Sequence, residues 1–254
     1  MKLHVLSSGS SGNGYILEGR RSALLIECGV RPEDMFRMTD VPVSKLVGAL
    51  VSHEHGDHAK YVARYAALGI PIYASAGTIS GFGKLHEAAH VRRINAMSTF
   101  PIEDFKVSAF DVQHDAAEPL GFIIEHPECG KVLFMTDTEY CMYNFRSLAL
   151  DHIMVEANYD NGILNANVAS GLIEPSRAIR TRKAHFSIRQ ACDFIRACMT
   201  AELKTVVLLH LSQDNANAAS FARMAEETAL FAHIYVAVGG ITIQLNKNEI
   251  CPVL

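Results

Sequence analysis

Between residues 52 and 58 the chain runs Ser52-His53-Glu54-His55-Gly56-Asp57-His58, three histidines and an aspartate within six residues. Imidazole nitrogens and carboxylate oxygens are ligands for divalent ions such as Zn²⁺ and Mn²⁺, and this density of them predicts metal binding. His53 and His55, two apart, can reach one ion from the same side of an extended end. Asp57 and His58 follow the turn that Gly56 permits and can reach a second ion. A zincin helix is excluded: it needs His-Glu-x-x-His, but the fifth position counted from His53 is Asp57, and Gly56 weakens any helix through it.

Further candidates repeat one grammar, in which an apolar strand ends in a polar group. His114 follows Val112, Asp137 follows Val132 to Met135, and His210 follows Val206 to Leu209. Two ions about 3.5–4 Å apart would form a clamp in which a bridging hydroxide attacks and both entering and leaving oxygens are stabilised. Such a clamp suits a phosphodiester, and would serve a thioester or lactone as well. Expelling an alkoxide from phosphorus needs a proton, which a histidine outside the ligand set can supply. His185 is the candidate, with Glu156 orienting it through a hydrogen bond. Ser187 is the better N-cap for a helix beginning near Ile188, which leaves His185 available. Arg177, Arg180, Arg182, Lys183 and Arg189 put five positive charges within thirteen residues around that histidine, a pattern that could track phosphates. Aromatic platforms for stacking bases are not evident. Six other histidines, His4, His86, His90, His126, His152 and His233, read as surface or supporting residues.

The elements that must position these groups alternate through the chain. Apolar runs at 2–6, 15–17, 23–26 and 46–51 read as strands, with the polar Ser7–Asn13 stretch as a glycine-punctuated loop. Short helices are expected over 31–38, 59–68 and 75–82. Residues 90–125 look β-rich, followed by strands at 132–135 and 153–155. A long helical region from about 164 to 182 follows, then a helix 188–199, a strand 205–209 and a helix 216–230. Strands at 234–237 and 241–245 look like a closing hairpin through Gly239-Gly240. No low-complexity linker divides the chain, so residues 1–254 are expected to form one α/β domain of two β-layers flanked by helices.

Composition bounds the rest. The chain has 254 residues, 49% hydrophobic and 20% charged, enough for an ample core. No apolar run reaches the roughly eighteen residues of a membrane span, and no signal peptide is visible, so a soluble cytoplasmic protein is expected. The six cysteines form no C-x-x-C pair and read as reduced, mostly buried side chains. A net charge of −4 argues against coating nucleic acid by bulk attraction, but not against a nuclease with a local basic patch.

The His-x-His-x-Asp-His run resembles the metallo-β-lactamase superfamily, which implies a four-layer αββα sandwich with one or two metals. The resemblance implies that His53, His55 and His114 hold the first metal, that Asp57, His58 and His210 hold the second, and that Asp137 bridges. The order Glu156, Ala184-His185-Phe186-Ser187, His210 is similar to phosphodiesterases of the superfamily such as RNase Z. With His114-Asp115-Ala116-Ala117-Glu118-Pro119, Thr136-Asp137-Thr138 and the Ser/Gly/Asn loop, the chain looks like the YycJ/WalJ branch, bacterial proteins described as exonucleases acting on DNA. It departs from that branch in having Tyr159 where His is usual, Ala184 where Gly is usual and Glu27 where Asp is usual. The expected function is thus a two-metal phosphodiesterase, a DNA exonuclease of low sequence specificity, with Asp57, His185 and Glu156 as catalytic residues. Its alternatives are a glyoxalase II-like hydrolase of thioesters or lactones and a non-catalytic metal-binding protein.

Overall fold

The structure is a computed structural model that describes residues 1–84 and 90–247. Its chain divides into two compact units: Met1–Asp111, Ala116–Gly130 and Ala237–Lys247 form unit 1, and Val112–Asp115 with Lys131–Val236 form unit 2.

Unit 1 contains a seven-stranded sheet of β1 (Lys2–Ser7), β2 (Gly14–Glu18), β3 (Ala23–Ile26), β4 (Leu46–Leu50), β5 (Ile72–Ala74), β6 (Val91–Arg93) and β14 (Thr242–Gln244), in the order β14-β1-β2-β3-β4-β5-β6. Neighbours from β14 to β3 are antiparallel, and those from β3 to β6 are parallel. Strands β3 and β4 are apolar and almost wholly buried, as parallel strands covered on both faces require. The core of this unit is built around Ile16, Leu25, Val51 and Ile72, with Met35 of α1 (Pro32–Met38) and Tyr65 of α3 (Val62–Ala67) packed against them. Two further short helices, α2 (Gly56–Ala59) and α4 (Ala76–Ser80), and an antiparallel run of β7 (Thr99–Ile102), β8 (Phe105–Asp111) and β9 (Leu120–His126) complete it.

Unit 2 is a parallel run of β10 (Gly130–Met135), β11 (His152–Glu156), β12 (Thr205–Leu209) and β13 (His233–Val236). Its helices are α5 (Asn161–Ala169), α6 (Pro175–Ala184), α7 (Ile188–Cys198) and α8 (Ala218–Thr228). Helix α7 buries Ile188, Ala191, Cys192, Ile195 and Cys198, an apolar stripe at 3- and 4-residue spacing. In parallel strands every carboxyl end points the same way, so the residues that follow β10, β11 and β12 emerge together at one edge.

Three expectations are corrected. The long helix over 164–182 is two helices, because Gly171 takes φ +75° and ends one while Pro175 starts the next at its first turn. The closing strands are not a hairpin: β13 pairs parallel with β12, whereas β14 pairs antiparallel with β1. Gly240 N–H donates to Val5 O (2.8 Å) and Val5 N–H to Ile241 O (3.0 Å), which turns the chain onto β1 instead. The helix expected over 59–68 is shorter: α2 ends at Ala59, and α3 spans Val62–Ala67.

The 52–58 run is gripped by backbone. Asn13 N–H donates to Asp57 O (2.7 Å), Gly29 N–H to Asn13 O (2.9 Å) and Cys28 N–H to His58 O (2.7 Å). A Cβ on Gly29 would stand 1.8 Å from Asp57 O and 2.6 Å from Asn13 N, so only glycine allows this approach. Gly29→Ala is therefore expected to destabilise the fold by at least about 1–3 kcal/mol, measured by urea unfolding.

Candidate metal centre

Unit 1 carries His53, His55, Asp57 and His58 where β4 gives out. The His53 ring meets His55 edge-on at 4.7 Å and lies 4.2 Å from His58, centroid to centroid. His53 and His58 are buried, and the chain enters α2 through His55 at its N-cap. Ser52 Oγ is hydrogen-bonded to His53 Nδ1 (2.9 Å). His58 Nδ1 faces Glu27 Oε2 at 3.4 Å, which orients its Nε2 towards Asp57 Oδ2, also at 3.4 Å. Asn13 braces this corner, its Nδ2 lying 3.1 Å from His58 Nε2 and 3.4 Å from Asp57 Oδ2. Glu27 is wholly buried and accepts from Ser52 N–H (3.2 Å). Burial pushes its carboxyl up, only partly opposed by His58. Glu54, the other acid of the run, is committed elsewhere: its Oε1 accepts from Ala117 N–H (2.8 Å).

Unit 2 gathers Asp137, Glu156, His185 and His210, whose ligand atoms all lie within 4.8 Å of one another. Each follows or ends an element: Asp137 comes after β10, Glu156 ends β11, His210 follows β12 and His185 caps the C-terminus of α6. Asp137 (φ 44°) and His210 (φ 54°) adopt the left-handed conformation, as Glu27 (φ 67°) does after β3. This conformation is more open to Asp and His than to most side chains, and it swings the chain sharply off the strand end. His210 Nδ1 lies 3.0 Å from Asp137 Oδ1 and 3.1 Å from Glu156 Oε1. His185 Nδ1 lies 2.6 Å from Glu156 Oε1. Burial pulls His185 down, but the adjoining Glu156 carboxylate outweighs it and the pKa is raised. Burial likewise opposes ionisation of Glu156, yet His185 holds its carboxyl below the usual range. His114 must donate Nδ1–H to the carbonyl of Ala184 (3.0 Å), which leaves Nε2 facing Asp137 Oδ2 at 3.7 Å. Burial lowers the His114 pKa despite nearby Asp137, favouring the neutral, ligating form.

The donor set of each unit fits a divalent ion. Nitrogen and carboxylate donors converge, several of the rings are buried, and an oxygen atom lies behind Nδ1 of His53, His58, His114 and His210.

The basic run is less unified than its spacing suggests. On α6, Arg177 pairs with Asp214 (3.7 Å), Arg180 with Asp115 (3.4 Å) and Arg182 donates to Asn165 Oδ1 (2.6 Å), while Lys183 is exposed. Arg189 lies on α7 and lines a groove with Asp193, Arg196 and Glu227. Of the other histidines, His4, His126 and His152 are buried rather than on the surface. His4 bonds Glu18 (2.9 Å) and His126 bonds Asp104 (3.1 Å). His86 lies outside the described residues. The contacts of Glu27 and Asn13 with His58 were not foreseen, although Glu27 follows the apolar run Ala23–Ile26 in the same grammar as Asp137 and His210.

Residues 24–211 match the beta-lactamase superfamily domain. The chain belongs to this superfamily. It is 30% identical over 243 residues to a protein named exodeoxyribonuclease YycJ of Bacillus anthracis, covering 91% of this chain and 90% of that protein. It is 27% identical over 227 residues to exodeoxyribonuclease WalJ of Streptococcus pneumoniae serotype 2 (strain D39), covering 84% and 82%. These relatives mark the YycJ-like branch of the superfamily. The solved structure of the metallo-beta-lactamase fold protein YhfI from Bacillus subtilis superposes with a TM-score of 0.74 at 18% identity, covering 95% of this chain and 98% of that one. The fold is thus the α/β metallo-β-lactamase fold.

Ser187 caps α7, accepting from Gln190 N–H, while Gln190 Oε1 accepts from Ser187 N–H (2.9 Å) in a capping box. Ser187→Ala should cost about 1 kcal/mol of stability in a denaturant titration, with the fold retained.

Proposed function

We propose that this superfamily member is a two-metal phosphodiester hydrolase acting on DNA ends with low sequence specificity. The observation that carries the reading is the pair of buried Glu156 and half-buried His185 at 2.6 Å, set against Asp137 and His210, where a proton donor is needed beside a ligand cluster. The names of the 30%- and 27%-identical relatives, both exodeoxyribonucleases, support DNA as the substrate class. We assign His53, His55 and His114 to one ion, Asp57, His58 and His210 to the other, and Asp137 to both, with Zn²⁺ or Mn²⁺ as the metal. Bound there, two divalent ions would supply electrophilic charge for the phosphate oxygens and a water activated near neutral pH.

The chain's own residues do the rest. Glu156 holds Nδ1–H of His185, which leaves the other ring nitrogen to deliver a proton to the departing oxygen. Glu156 itself stays ionised and acts through His185. Arg177 and Arg180 are exposed, their ion pairs are weak, and a phosphate could replace Asp214 and Asp115 as partner. With Arg182, Lys183 and Arg189 they form the assigned phosphate-binding set. Among the described residues no helix is long and apolar enough to cross a membrane, and we infer that the chain works in the cytoplasm as one catalytic domain.

Metal-loaded protein should release mononucleotides progressively from end-labelled DNA and leave a thioester substrate intact. Turnover of the thioester alone would replace the reading with a small-molecule hydrolase. His185→Ala should retain melting temperature and metal content while losing about 10²–10⁴-fold in turnover. His55→Ala and Asp137→Ala should lose bound metal by elemental analysis as well as activity, and chelation of the wild type should abolish activity until metal is restored.

A further inference from the structure

Exposed aromatic side chains among the described residues include Phe36, Tyr140, Phe231 and Tyr235. Of these, Tyr140 is the one in the loop that carries a proposed ligand, three residues beyond Asp137. The loop leading to it is hydrogen-bonded at several points. Thr138 Oγ1 donates to Tyr140 O (2.8 Å) and accepts from Gln113 N–H (3.1 Å), and Glu139 N–H donates to Gln113 O (2.7 Å). Gln190 Nε2 donates to Glu139 O (2.9 Å), and the same side chain completes the capping box two residues after His185. Thr138 N–H donates to Glu156 Oε2 (3.2 Å). The loop is thereby fixed to the segments bearing His114, Glu156 and His185. Yet Tyr140 is 47% exposed, and Met142, two residues on, is 60% exposed. A rigid loop that holds an aromatic ring in water has already met the ordering cost of binding a flat ligand.

We propose that Tyr140 is a stacking platform for an unpaired nucleobase near the end of a DNA strand. The proposal rests on the phosphodiesterase reading and names how the substrate is gripped. Three residues of chain span at most about 11 Å. A stacked strand advances about 3.4 Å per nucleotide, so the base met by Tyr140 lies within roughly three nucleotides of a phosphate held at Asp137. Stacking accepts every base, which agrees with cleavage of low sequence specificity. No aromatic motif in the sequence marks this platform, because a single tyrosine in a loop has no pattern.

The test measures binding of a short fluorescent single-stranded DNA, intact or abasic at its terminal three nucleotides, to wild type, Tyr140→Ala and Tyr140→Phe, with Ca²⁺ replacing the activating metal. Tyr140→Ala should bind the intact strand about 5- to 150-fold more weakly, the span of base–aromatic stacking. Tyr140→Phe should bind as wild type does. Abasic ends should weaken wild type by a similar factor and add nothing to the Tyr140→Ala loss. Equal binding by Tyr140→Ala and wild type, or an equal Tyr140→Ala loss on intact and abasic strands, overturns the platform. Hydrolysis of bis(p-nitrophenyl) phosphate by wild type, a diester without a base, tests the phosphodiesterase reading separately. Its absence in fully metal-loaded protein sinks that reading, while the base-dependent binding pattern still decides the platform.

Discussion

Glu156 is a carboxyl group with no exposure to water, held despite that burial below the usual carboxylate range by the histidines beside it, and unit 2 is arranged around it. A buried carboxylate costs several kcal/mol unless hydrogen-bond donors surround it. Here four donors do so: His185 and His210 at Oε1, and the N–H groups of Thr138 and Phe186 at Oε2. They come from the loop after β10, the turn before α7 and the end of β12. One acid thus holds three otherwise separate segments in register, and any group that releases it would leave an uncompensated charge in a low-dielectric interior.

Unit 1 repeats the device with a weaker hand. Glu27, also wholly buried, has the Ser52 N–H and His58 at 3.2–3.5 Å. The two glutamates shift in opposite directions, Glu27 up and Glu156 down. The cause is the donor set: desolvation dominates where donors are few and long, and nearby imidazoles dominate where they are close. Each acid nonetheless takes the Nδ1 side of the histidines it faces, His58 for Glu27 and His185 and His210 for Glu156, which turns their Nε2 outward.

Three of the six left-handed non-glycine residues among those described stand at the same places. Glu27, Asp137 and His210 hold left-handed backbone conformations within two residues of the ends of apolar strands. Such positions cost on the order of 1–3 kcal/mol each and persist only where surrounding contacts over-determine them. Buried strands and paired carboxylates supply that support. The polar turns beyond, including the one bearing Tyr140, inherit a rigid base.

Much of this protein was legible in its residues. The His-x-His-x-Asp-His run, the strand-then-polar-group grammar of Asp137 and His210, and the Ser187 cap are local signals with local causes; the first pointed to the superfamily, and together they named most of the candidate side chains. Glu27 was legible too, by the same grammar, but an isolated acid after a strand looks ordinary. Other features had no local signal. Gly171 and Pro175 divide a region whose helix formers read as continuous, and the partner of β14 depends on a crossing to β1 at the other end of the chain. The sequence by itself determined which side chains could ligate, cap or donate a proton, since those are properties of residue type and near spacing. Only the tertiary structure decided which buried acid each histidine would face, and that Tyr140 would stand in water on an anchored loop. Those outcomes are set by burial and by partners far apart in the chain, and neither is encoded in any short stretch of it.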